Sequence, residues 1–90
     1  MAVVVQQEYP GMSADQYDRI VEMLADTLPP GCLIHIASVI EGGMLVVDVW
    51  DSQEAFEQFA QGPLRSMSGS LSFTNQPVVK VSPAHHFLHT

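Results

Sequence analysis

Several residue types are scarce in this 90-residue sequence, and each scarcity excludes a class of protein. Only three residues are basic, against ten acidic ones, and the formal net charge is −7. A chain so poor in positive charge lacks the surface that attracts nucleic acids or anionic membranes. No apolar run approaches the roughly 20 residues that a membrane-spanning helix needs. We therefore expect neither nucleic acid nor membrane as a partner.

Cysteine is equally scarce, because Cys32 is the sole thiol of the chain. No disulfide can form within the chain, and the N-terminus lacks the basic and apolar regions of a secretion signal. Both features favour a reducing compartment and predict a cytoplasmic protein. A chain of 90 residues with 47% hydrophobic content suffices for one folded domain, residues 1–90, and no linker divides it.

The sequence pattern predicts six elements in the order β-α-β-β-α-β, the ferredoxin-like α+β arrangement. Two capping-box patterns, Ser13 with Gln16 and Asp51 with Glu54, mark the helix starts. The predicted strands are Ala2–Tyr9, Cys32–Ile40, Met44–Trp50 and Val78–Val81, and the predicted core stripes of the helices are Tyr17, Ile20, Val21 and Leu24, then Phe56, Phe59 and Ala60. We further predict a helical turn over Leu64–Met67 and a loop over Ser66–Thr74 before the last strand.

Strand periodicity then predicts which side chains share a sheet face. With Gly42-Gly43 as a two-residue turn, His35 lies opposite Trp50 and diagonal to Asp48, within reach of its carboxylate. We predict one face with the polar side chains and another, under the helices, with the apolar ones. The first set is Gln6, Glu8, His35, Asp48, Trp50 and Lys80; the second is Ile34, Ile36, Val47 and Val49. The polar face also carries Leu33, Ala37, Met44 and Val46, so a second copy of the chain is predicted to cover it.

The run from Gly42-Gly43 through Val46-Val47-Asp48-Val49-Trp50-Asp51-Ser52 to Phe56, with His35 upstream, resembles the dimeric α+β barrel superfamily. Within it, the run is similar to the small proteins grouped with antibiotic-biosynthesis monooxygenases. The resemblance implies a four-stranded antiparallel sheet with two helices on one face, two sheets packed face to face, and a ligand cavity between sheet and helices.

The same resemblance implies several activities. Members include cofactor-free monooxygenases of polycyclic phenols, polyketide cyclases, muconolactone-type isomerases and haem-degrading enzymes. Trp50 matches the Trp at the end of this strand in the monooxygenases, but Val46 stands where they carry Asn. In the first strand, Gln6 stands where the haem-degrading branch offers Asn.

The candidate catalytic residues are His35, as the group that accepts or delivers a proton, and Asp48, as the carboxylate that orients it. The predicted substrate-binding residues are Trp50, Gln6, Glu8, Leu33 and Val46. Structural interpretations stand beside these. His35 would then be a hydrogen-bonded strand residue, and Asp48 would accept bonds from the backbone or from Trp50, or contact a second subunit. Glu8 would pair with Lys80, and Cys32 would be an inert core residue.

The C-terminal histidines His85, His86 and His89 have no nearby Cys or carboxylate at metal-site spacing, so no metal is predicted. No motif for an organic cofactor occurs either. The sequence thus predicts a homodimeric, cofactor-independent enzyme that acts on an aromatic or polyketide-like molecule by His-assisted proton transfer, as a monooxygenase, cyclase or isomerase. The alternative is a non-catalytic homodimer of the same fold that is structural or binds a small apolar molecule.

Overall fold

The computed structural model describes residues 1–24, 27–62 and 77–88, without the side chain of Leu24. Its elements are β1 (Val3–Pro10), α1 (Ala14–Leu24), β2 (Cys32–Ile40), β3 (Gly43–Trp50), α2 (Gln53–Gln61) and β4 (Val78–Pro83). This order confirms the predicted β-α-β-β-α-β arrangement. The predicted turn over Leu64–Met67 and loop over Ser66–Thr74 lie outside the described residues.

The four strands form one antiparallel sheet in the order β2-β3-β1-β4. The first strand therefore lies between the third and the fourth, as the ferredoxin-like prediction requires. Both helices pack on the same sheet face. Phe56 of α2 belongs to a core cluster with Val3, Val5 and Trp50, while Ile20 of α1 packs with Met44. No helix among the described residues is long and apolar enough to cross a membrane.

The β2–β3 hairpin turns one residue earlier than predicted. Ile40 pairs with Gly43, so Glu41 and Gly42 form the turn, and Gly42 has φ +82°, a conformation that glycine adopts without strain. The predicted Gly42-Gly43 turn was wrong. Moving the turn by one residue shifts the cross-strand pairs by two, which keeps every side chain on its face. His35 thereby lies directly opposite Asp48 rather than diagonal to it.

The two helices begin with side-chain caps, one of which was predicted at the wrong residue. Ser13 Oγ accepts from the backbone N–H of Gln16 at 3.1 Å, and the backbone N–H of Ser13 donates to Gln16 Oε1 at 2.9 Å. These two bonds form the predicted capping box. In α2 the cap is Ser52 rather than Asp51, because Ser52 Oγ accepts from the Ala55 amide at 3.1 Å.

For β2 and β3 the sheet faces are reversed relative to the prediction, whereas Gln6 and Glu8 of β1 lie away from the helices as predicted. Asp48 and Trp50 lie under the helices with Met44 and Val46, all four of them buried. On the opposite face, which we call the open face, Ile36 is 56% exposed. The remaining side chains predicted to lie under the helices, Ile34, Val47 and Val49, are only partly buried there. The covered face thus holds the bulky Met and Trp side chains that fill space beneath a helix, and its polar groups are buried because they bond to one another.

A β-bulge at the start of β2 separates neighbours that strand periodicity places together. The register shifts between Cys32 and Ile34, so Cys32 lies opposite Trp50 and Ile34 lies opposite Val49. Cys32 is consequently buried under the helices, whereas Ile34 belongs to the open face. The predicted burial of Cys32 is confirmed, although it does not share the face of Ile34.

Candidate functional site

The carboxylate of Asp48 is the centre of a hydrogen-bond network on the covered face. The residue is 4% exposed, and each of the three strands β1, β2 and β3 supplies one partner. His35 Nδ1 lies 2.6 Å from Oδ1, while Gln7 Nε2 and Trp50 Nε1 each donate to Oδ2 at 3.3 Å. Both carboxylate oxygens are thus satisfied, and this makes burial of the charge tolerable.

A second pair of side chains fixes the orientation of Gln7. The Tyr9 hydroxyl donates to Gln7 Oε1 at 2.7 Å, which leaves Gln7 Nε2 as the atom that donates to Asp48. Gln7 is buried and Tyr9 is half-buried, so a swapped amide would place Gln7 Oε1 against the Asp48 carboxylate, two acceptors facing each other in a dry site. Tyr9 therefore acts on Asp48 through Gln7.

The second ring nitrogen of His35 contacts helix α1. Tyr17 projects from that helix, and its hydroxyl is hydrogen-bonded to His35 Nε2. The two rings are nearly parallel, with an interplanar angle of 12° and centroids 6.1 Å apart. With the Asp48 carboxylate accepting at Nδ1, the imidazole of His35 is held at both nitrogens.

Aromatic rings hold Trp50 in place next to this network. Trp50 is 1% exposed, Phe56 meets it edge-on with centroids 5.6 Å apart, and Phe59 lies at 5.5 Å with a tilt of 36°. Such contacts each contribute roughly 0.5–1.5 kcal/mol beyond the area they bury. The indole N–H that donates to Asp48 is therefore fixed by α2.

Three groups in the site have raised pKa values. Burial, with smaller contributions from the charge of Asp48 and from Tyr17, raises the pKa of Tyr9 to about 12. Burial, followed by the charges of Asp48 and Asp18, also raises the pKa of Tyr17. For Cys32, burial and then Asp48 raise the pKa to about 11, partly offset by its bond to the Ile34 carbonyl. All three side chains are consequently neutral donors at neutral pH.

A cavity of about 70 Å³ lies between this network and the helices. Its polar side consists of the network residues His35, Asp48, Gln7, Tyr9 and Tyr17. The remaining lining comprises Met12, Ile20, Thr27, Leu28, Pro29, Cys32, Val46, Trp50 and Phe59, which are nearly all apolar. An apolar cavity with a few converging polar groups is typical of small-molecule sites.

Four of the seven predicted site residues line this cavity, namely His35, Asp48, Trp50 and Val46. The other three do not. Gln6 and Glu8 are exposed on the open face, because alternate residues of β1 point away from Gln7. Leu33, in the bulge of β2, is 43% exposed and lies outside the cavity lining. The predicted Glu8–Lys80 ion pair is also wrong, because Lys80 lies opposite Gln6. Among the described residues, the salt bridge joins His35 to Asp48 instead.

The sequence analysis missed Gln7, Tyr9 and Tyr17 as members of the site. A signal for Gln7 was available, since it has the strand parity of Val3 and Val5, which are buried. Tyr17 was assigned to the core stripe of α1, and nothing in that stripe indicates which strand residue its hydroxyl meets. Among the described residues, no group of three His, Cys, Asp or Glu side chains is placed to hold a metal ion.

Neither a protein-family model nor a curated protein matches the sequence, whereas solved structures match over nearly its whole length. A single-site variant of SnoaB, a cofactor-independent oxygenase from Streptomyces nogalater, has a TM-score of 0.70 at 16% identity, covering 97% of this chain and 96% of that one. A proposed antibiotic biosynthesis monooxygenase from Caulobacter crescentus has a TM-score of 0.73 at 14% identity, covering 94% and 91%.

A third match is MhuD, a heme-degrader from Mycobacterium tuberculosis whose structure has two hemes bound in its active site. Its TM-score is 0.59 at 18% identity, and 96% of this chain and 99% of that chain are covered. At these identities the likeness concerns the fold. The chain has the ferredoxin-like fold of the antibiotic-biosynthesis-monooxygenase-like proteins, as the sequence resemblance predicted.

Proposed function

We propose that this protein is a small enzyme that transfers a proton on an aromatic or polyketide-like substrate without an organic cofactor. His35 is the general base, Asp48 orients its ring, and Trp50 and Val46 form part of the wall against which a flat substrate packs. The overall reaction is a monooxygenation, a cyclisation or an isomerisation. Each of these can begin with removal of a proton next to a carbonyl group or from a phenol.

This proposal rests on the environment of the His35–Asp48 pair. The Asp48 side chain is 5% exposed, whereas the His35 side chain, whose Nδ1 lies 2.6 Å from the carboxylate, is 32% exposed and lines the cavity. A purely structural pair is expected to have both partners buried at an interface. Here one partner is buried as an orienting group and the other remains accessible, which is the division of roles between carboxylate and base in hydrolase triads. SnoaB, described as a cofactor-independent oxygenase, supports the same general chemistry.

Deuterium exchange tests the proposal without knowledge of the natural substrate. An aryl ketone such as α-tetralone is incubated with the protein in D₂O. If the protein supplies a general base, the acidic C–H hydrogens of the ketone should be replaced by deuterium faster than in buffer without the protein. We expect His35→Ala to slow the protein-dependent exchange by about 10²–10⁴-fold, with Asp48→Asn causing a smaller loss. Equal exchange rates for wild type and a folded His35→Ala variant would reject His35 as the base.

The second candidate function is a non-catalytic homodimer that is structural or binds a small apolar molecule. The uncovered open face favours the dimer itself in either case. Its centre is apolar, with Ile36 exposed beside the half-buried Val47 and Leu45, and two helices on the other face cannot cover it. An exposed apolar surface of this kind marks an interaction site. We propose that a second copy packs on it, so the protein forms a homodimer.

Sedimentation velocity tests the dimer, which should bury about 1,000 Å² or more in total and persist at micromolar concentration. A monomer under those conditions would contradict it. Calorimetry with aromatic ligands then separates the two functions. Binding without any His35-dependent deuterium exchange, for every ligand that binds, would favour the non-catalytic homodimer.

A further inference from the structure

A proton that moves from a ligand to His35 meets an obstacle in the resting site, since both ring nitrogens are already engaged. With the Asp48 carboxylate accepting at Nδ1, the hydrogen of the neutral ring is on Nδ1. Nε2 then offers only a lone pair, and the Tyr17 hydroxyl, which contacts it, must be the donor of that bond. The basic atom of His35 is thus covered by a phenol hydroxyl.

We propose that Tyr17 is itself a catalytic residue, through whose phenol oxygen the proton of a ligand reaches His35. This inference rests on the proposed function, because it names the route by which the same base acts. Tyr17 lines the cavity together with His35, so its oxygen can contact a ligand while it donates to Nε2. The two ring planes are nearly parallel, with centroids 6.1 Å apart, so the hydroxyl meets the imidazole at its edge.

The transfer balances without any further reactant. A ligand hydroxyl or acidic C–H donates its proton to the Tyr17 oxygen, and the original Tyr17 proton moves to His35 Nε2. The ligand bond to hydrogen and the old Tyr17 O–H bond break, while a new Tyr17 O–H bond and an Nε2–H bond form. The products are a ligand anion, a neutral Tyr17 and an imidazolium whose charge is compensated by Asp48 2.6 Å away. The new Tyr17 O–H then donates to the ligand anion.

The electrostatics of the site fit a relay rather than a free tyrosinate. Burial and the negative charge of Asp48 raise the pKa of Tyr17, so the phenol keeps its proton until His35 accepts it. Tyr9, the other phenol in the cavity, lacks such an acceptor. Its hydroxyl donates to the neutral amide of Gln7, which cannot take a proton at neutral pH. The two tyrosines therefore provide a matched pair for experiment.

A chromogenic phenol tests the contact between the Tyr17 hydroxyl and the ligand anion that this route requires. Calorimetry gives the binding of 4-nitrophenol, and its absorbance as a function of pH gives the ionisation constant of the bound probe. We expect Tyr17→Phe to bind the probe within about threefold of wild type but to lower its ionisation constant about tenfold or more. A hydrogen bond from Tyr17 to the ligand anion is charge-assisted, and its loss destabilises only the ionised form. Tyr9→Phe should cause a smaller change, and Ser38→Ala on the open face should cause none.

The outcomes separate the two proposals. If Tyr17→Phe ionises the bound probe as wild type does, while His35→Ala loses ionisation, the ligand reaches His35 directly and the relay is overturned. If His35→Ala also ionises the probe like wild type, the proposed function fails with it. If wild type does not bind 4-nitrophenol at all, no phenol reaches the Tyr17 hydroxyl and the inference is likewise overturned.

Discussion

The two faces of the sheet differ in a way that reverses the usual relation between polarity and burial. The covered face, under α1 and α2, contains a charged carboxylate, Asp48, that is almost completely buried. The open face presents β-branched apolar residues such as Ile36 to solvent. Hydrogen bonding explains the buried carboxylate, because every polar group around Asp48 has a partner. A second subunit would explain the exposed apolar residues.

The comparison teaches that satisfaction of hydrogen bonds, rather than polarity, decides which face the helices cover. Gln7 and Trp50 can lie in the interior because both donate hydrogen bonds to Asp48, whose carboxylate is satisfied in turn. Gln6 and Glu8 have no such partner on their face and remain in water. Substitution of a covered-face residue and of its sequence neighbour on the open face should therefore have unequal effects.

The largest effect is expected when a charge is placed on each face in turn. Val46→Asp puts an unpaired carboxylate into the covered face two residues from Asp48, at a cost of about 3–5 kcal/mol or more, a large part of the stability of a small domain. Circular dichroism should show a protein that is unfolded or melts far below wild type. Val47→Asp should keep the fold but shift sedimentation to the monomer, and a Val47→Asp dimer would contradict the proposed interface.

A smaller effect is expected from the adjacent glutamines. Gln7→Leu keeps the volume but removes one donor from Asp48 and the acceptor of the Tyr9 hydroxyl, so it should lower the free energy of unfolding by about 1–3 kcal/mol. Gln6→Leu should change it by no more than about 0.5 kcal/mol, because Gln6 is exposed. Urea denaturation of both variants measures the difference. Equal losses would show that the Gln7 network does not stabilise the fold.

The smallest effect concerns stability in alkali. The pKa of Tyr9 is about 12 in the folded protein, against 10 for an unperturbed tyrosine, so between these pH values the unfolded chain releases a proton that the folded chain keeps. Stability is therefore fully present below pH 10 and falls as pH rises through 12. The absorbance of tyrosinate, from two tyrosines in all, should rise at higher pH than in the unfolded chain. Tyr9→Phe should remove the later part of that rise and reduce the alkaline loss of stability.

Much of the fold could be predicted because it depends on local signals. Pro and Gly residues bound the elements, and β2 was predicted with its observed bounds, Cys32–Ile40. The faces could not be predicted in the same way. Strand periodicity assigns residues to two sets but does not say which set the helices cover. The bulge next to Leu33 then moved Cys32 to the face opposite Ile34, and no residue pattern indicated it.

Half of the candidate site depends on contacts between distant parts of the chain. The pairing of His35 with Asp48 followed from the hairpin, and even a turn misplaced by one residue kept both side chains on one face. The contact of Tyr17 with His35 joins α1 to β2, and that of Gln7 with Asp48 joins β1 to β3 across 41 residues. Such contacts are set by how the helix and the strands pack, which a single sequence does not specify.

The central claim is that a buried carboxylate holds His35 as an oriented base beneath the helices, and NMR of the histidine rings tests it most directly. At neutral pH we predict one imidazole among the four histidines with its hydrogen on Nδ1, shifted downfield by the short bond to Asp48. That proton should show a nuclear Overhauser contact to the Trp50 indole N–H, since both donate to the same carboxylate. Asp48→Asn should abolish the downfield shift. A His35 ring with its hydrogen on Nε2, and no contact to Trp50, would contradict the claim.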